Sequence, residues 1–96
     1  MPGQKDTSAA EEAETTAIAE LGWLAGEPEL LSRFLALTGV APADLRGAVN
    51  DPGFLAGLVD FLMGHEPTLL AFCEASGVAP ETVVRAQAVL SGSPAS

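Results

Sequence analysis

Histidine and cysteine are the side chains best placed to do chemistry near neutral pH. This chain has one of each, His65 and Cys73. If they met, they could form a thiolate–imidazolium pair, the imidazole taking the thiol proton to leave a nucleophile. His65 precedes Glu66-Pro67 in a helix–helix turn, and Cys73 falls on the apolar stripe of the next helix. Eight positions along a turn and a helix separate them too far for that contact. They are therefore read as an exposed turn histidine and a core thiol. One His and one Cys cannot close a zinc site, and no acidic run has the EF-hand spacing. Asp60 and Glu66 are the central carboxylates, read as a polar-face acid and a helix-cap acid. No Gly-rich loop follows a strand, because no stretch has strand character. No catalytic, cofactor-binding or metal-binding residue is assigned, and neither enzyme activity nor a cofactor is expected.

A second pattern carries binding rather than catalysis. Residues 72–85, FCEASGVAPETVVR, have a small residue at Cys73, glycine four later and Val83 six after that. This is the spacing of a helix-turn-helix, whose tight corner sets two helices at a steep angle. The would-be reading helix, Pro80 to Leu90, carries one Arg and one Glu, with no basic or amide face for phosphates and bases. The same corner recurs upstream as Leu35, Gly39 and Leu45, so it serves the geometry of a repeat.

That repeat organises the chain. EPELLSRFLALTGVAPADL at 27–45 aligns with EPTLLAFCEASGVAPETV at 66–83 through a one-residue gap, and Trp23-Leu24-Ala25-Gly26 aligns with Phe61-Leu62-Met63-Gly64. Proline marks helix starts at 28, 42, 52, 67 and 80, where its missing amide costs nothing. Glycine marks ends at 26, 39, 64, 77 and 92, where a left-handed residue is expected. The expectation is a compact all-α domain of six helices near 9–25, 28–38, 42–49, 52–63, 67–76 and 80–90, built from two tandem related three-helix units. It spans residues 9–90 between tails at 1–8 and 91–96.

The fourth helix is apolar around most of its circumference and is placed at the centre. Phe54, Leu58, Phe61 and Leu62, with Leu31, Phe34, Leu70 and Phe72, are the expected core. On the first helix, Ile18, Leu21 and Leu24 mark the inward face. Trp23 falls at the edge of that stripe. With Leu24 it is the candidate anchor for a partner, because tryptophan is enriched at interface hot spots.

The chain has 96 residues, 13 acids against 4 bases, and a net charge of −9. That field repels nucleic acid and anionic membranes. Half the residues are apolar, which is incompatible with disorder throughout. A single cysteine allows no internal disulfide and fits a reducing compartment. No leader-like apolar segment opens the sequence, and no run is long enough for a membrane span.

FLALTG at 34–39, PGFL at 52–55, DFL at 60–62 and EPTLLAFC at 66–73 resemble a family of short alphaproteobacterial proteins known as domain of unknown function 3572. The likeness covers about residues 15–92 and implies a small cytoplasmic all-helical protein, with no site residues to transfer. The sequence thus reads as an acidic protein-interaction or regulatory module without catalysis. Its partner is an unidentified protein or a second copy of the chain. The alternative is a nucleic-acid-linked role, through a degenerate helix-turn-helix or as an acidic mimic of DNA, with direct nucleic-acid binding disfavoured.

Overall fold

The computed structural model describes the backbone of residues 2–91 and the side chains of residues 9–91. Six α-helices follow one another: α1 (Pro2–Leu24), α2 (Pro28–Thr38), α3 (Leu45–Ala48), α4 (Pro52–Met63), α5 (Glu66–Ser76) and α6 (Pro80–Leu90). A 3-10 turn at Pro42–Asp44 leads into α3. Among the described residues there is no strand, and the chain is an all-α domain. The first helix, expected to start near 9, begins at Pro2, so the backbone of most of the expected tail 1–8 is helical, while its side chains lie outside the described ones. The tail at 91–96 lies, past Ser91, outside the described residues.

Proline stands in the first turn of α2, α4, α5 and α6, as the spacing predicts. The Asp51 carboxylate caps α4, accepting a hydrogen bond from the Gly53 amide at 2.9 Å. Only two of the helix-ending glycines are left-handed, Gly39 at φ 75° and Gly77 at φ 78°. Gly64 ends α4 at φ −81°, because the sharp exit is made by the extended residue after it, His65 at φ −150°. Gly26 likewise needs no positive φ, and Gly92 lies outside the described residues.

The two left-handed corners match closely. Gly39 donates to the Leu35 carbonyl at 2.8 Å and Gly77 to that of Cys73 at 2.9 Å. Thr38 and Ser76 each accept from the amide two residues on, at 3.3 Å. Ala41 and Ala79 then leave at φ −76° and −75°. The aligned aromatic residues also pair crosswise. Trp23 meets Phe72 edge-to-face at 5.7 Å, and Phe61 meets Phe34 in the same way at 5.5 Å. The two corners thus share one local geometry. Beyond the corners the units differ, since Asn50-Asp51-Pro52 stops α3 after four residues where α6 runs for eleven.

The core gathers on α4, where Phe54, Leu55, Leu58, Val59 and Leu62 are buried. Phe34, Phe72, Leu24, Val83 and Ala86 close over it from the other helices. Phe61 and Leu31 are half-buried rather than buried. Two expectations fail. Leu70 is 51% exposed and Ile18 is 52% exposed. On α5 the inward face is Thr68 and Phe72, one turn apart, and position 70 lies two residues from each, on the far side. On α1 the buried residues are Ala13, Thr16, Ala17, Glu20 and Leu24. Ile18 lies two positions before Glu20 and faces out for the same reason. The small side chains of this stripe let α1 lie close along α6 and α4, its most extensive partners.

Leu58→Ala should lower unfolding free energy by about 2–5 kcal/mol, while Leu70→Ala should change it by less than about 0.5 kcal/mol. Denaturant midpoints that moved equally would place α5 wrongly. Gly39→Ala and Gly77→Ala should each cost about 1–2 kcal/mol through backbone strain alone, because nothing lies within 4 Å of an added Cβ at either site.

Candidate functional site

An open, largely apolar groove lies where α2 crosses α4. Successive residues Arg33, Phe34, Leu37 and Thr38 form the lip contributed by α2. The floor is Gly57, Asp60 and Phe61 of α4, and the far end is closed by Gly64, His65 and Thr68. Leu37 is 72% exposed, the most exposed of the large apolar side chains. Gly57 sits within α4, where glycine is about 1 kcal/mol worse than alanine. A Cβ there would meet nothing within 4 Å. Packing inside the domain therefore does not require glycine at this position, and its effect is to keep the groove floor low.

The polar groups at the rim are largely engaged with each other. Gln87 donates to Asp60 at 2.9 Å, tying α6 to α4. The Nδ1 of His65 lies 2.7 Å from the Thr68 hydroxyl. Glu27 and Glu29 line the adjoining hollow on the other side of Arg33.

The residues singled out for chemistry stay apart. His65 is exposed at the head of α5, and Cys73 is half-buried two turns further on, about 12 Å along the axis by helical rise. Burial, and then the nearby Glu81 carboxylate, push the Cys73 thiol up, away from the reactive thiolate. Glu66 is exposed in the first turn of α5. Among the described residues, no three His, Cys, Asp or Glu side chains converge as metal ligands. Arg85, the one base of the would-be reading helix, is engaged by Glu12 of α1 at 3.6 Å and by Thr82 at 3.3 Å. Of the candidate anchor pair, Leu24 is fully buried and Trp23 is half-buried against Phe72.

Sequence reasoning missed Glu20. This carboxyl is 0% exposed, and neither oxygen has a hydrogen-bond partner among the described residues. Burial alone pushes its pKa from 4.5 up to about 9. Ala13, Thr16, Ala17, Glu20 and Leu24 share one helical face, but small residues with a charge among them carry no apolar signal that would mark that face as buried.

The linkage has a definite sign. The folded state holds the Glu20 proton after the unfolded chain has lost it, so the stability is fully present below about pH 4.5 and is lost as pH rises toward about 9. Within that window the expected slope from this group is about 1.4 kcal/mol per pH unit. Glu20→Met should raise stability at neutral pH and flatten the dependence. Denaturation curves at several pH values test this, and an unchanged slope would remove Glu20 as its source.

No curated protein and no solved structure matches this chain. Among the described residues, no helix is long and apolar enough to cross a membrane. The helical domain nevertheless has a family: over residues 10–93 the chain matches the profile described as protein of unknown function (DUF3572), and it belongs to that family.

Proposed function

We propose that the protein is a cytoplasmic interaction module that binds an amphipathic helix of another protein in the groove between α2 and α4. The observation that carries this reading is Leu37, exposed at 72% beside half-buried Phe61 and over the bare floor at Gly57. Helix-in-groove recognition needs such a channel, with one or two apolar anchors on either side. Charge defines the partner further. The chain carries −9 overall, and Asp60, Glu27 and Glu29 outnumber Arg33 around the groove and its neighbouring hollow. The complementary helix has an apolar face flanked by Lys or Arg, whose attraction speeds encounter more than it adds affinity.

A photo-crosslinking residue at position 37 should capture a partner in the source cell, whereas the same group at Val89, exposed on α6, should not. The captured protein should carry a basic amphipathic segment. Gly57→Leu should fill the groove and abolish capture while leaving the fold intact, because the added side chain points into open space. Equal capture at positions 37 and 89, or capture undiminished by Gly57→Leu, would reject the groove as the docking site.

A further inference from the structure

The other buried polar side chains of the described chain have partners. Thr16 donates to the Glu12 carbonyl at 2.9 Å, and Thr68 meets His65 at 2.7 Å. Glu20 has none. It lies on α1, whose fully buried side chains are otherwise Ala13, Thr16, Ala17 and Leu24, with Leu21 and Trp23 partly buried against the core beside them. The helices beneath are much richer: Leu58, Val59 and Leu62 come from α4, Phe72 from α5 and Val83 from α6. The one unpaired acid in its buried face opposes a docking that its apolar neighbours favour.

The charged and titratable groups of the neighbouring helices do not help it. Asp60 on α4 is exposed and engaged by Gln87. On α5, His65, Glu66 and Glu74 are exposed and the Cys73 thiol is half-buried. On α6, Glu81 is exposed and Arg85 turns to Glu12. Glu29 and Arg33 of α2 are exposed as well. None of them bonds to Glu20. A buried carboxylate needs a cation or several donors to offset lost hydration, and among the described residues it has neither.

We infer that α1 is a releasable helix: it stays docked while the Glu20 carboxyl is neutral and lifts from α4, α5 and α6 when that carboxyl gives its proton to solvent. The released helix carries Glu11, Glu12 and Glu14 on surfaces already exposed, and ionised Glu20 joins them in water. α2 packs on α4 through Phe34, which meets Phe54 at 5.5 Å and Phe61 at 5.5 Å, and it touches α1 as well. Burial of the acid sets the direction, with docking favoured at low pH and release at high pH.

The sole tryptophan reports on this step, because Trp23 sits on α1 and rests on Phe72. In the full chain, raising the pH from about 6 to about 10 spans the raised carboxyl. Over that range the Trp23 emission should move to the red and become open to a soluble quencher. In NMR spectra the Trp23–Phe72 contact should fade while the Phe34–Phe54 contact persists. Glu20→Gln should hold the indole in place throughout, and Glu20→Met should do so even if the buried amide destabilises the first variant. Loss of both aromatic contacts together would mean global unfolding and overturn the proposal. So would an indole that stays buried in the native protein across the range, or variants that follow the wild-type curve.

Discussion

A helix that is apolar on nearly every side must be covered on nearly every side, and α4 imposes that demand on the whole domain. Twelve residues long, it contains one charged side chain, Asp60. Five of its residues are buried, and Phe61 and Met63 are half-covered. No other helix of so small a chain could serve as the centre, and each of the others can be understood by the sector of α4 it shields. α1 and α6 lie together over one side, α5 over another, and α2 over the face of Phe54 and Phe61. The coverage is thinnest next to α2, where Gly57 contributes no side chain and Leu37 remains in water. The groove is thus the remainder of the covering problem, and it falls where a partner could complete it.

Much of this was legible in the sequence, and for local reasons. Proline in a first turn and glycine after a last turn are decided within a few residues, so most helix limits and the two left-handed corners are legible directly, whereas α1 begins at Pro2 rather than near 9. The hydrophobicity of α4 is equally local. What could not be read was which face of a partly apolar helix turns inward. Ile18 and Leu70 read as inward-facing because they are large and apolar, yet both are exposed. The structure instead buries alanines on α1 and Thr68 on α5, since close approach between helix axes rewards small side chains over large ones. That choice depends on neighbours distant in the sequence, which composition and periodicity do not reveal.

The candidate site follows the same division. Arg33, Leu37, Asp60 and Phe61 each read as ordinary helical residues, and only the crossing of α2 and α4 assembles them. Glu20 was hidden for the opposite reason. Nothing local marks an acid on a helix as buried, and in most proteins such an acid faces water. Its burial is a statement about α6 and α4, made at a position where α1 alone says nothing.

The crossed aromatic pairs also bear on how the chain reaches this state. Trp23 finds its ring partner on α5, and α1 packs most extensively on α6. Contacts so distant in the sequence close only after the segments between them are made, which slows their formation. Until α6 is in place, α1 lacks its main neighbour and one side of α4 keeps apolar side chains open to other surfaces. The stretch of synthesis between these helices is thus where the chain is most prone to stick to its own kind.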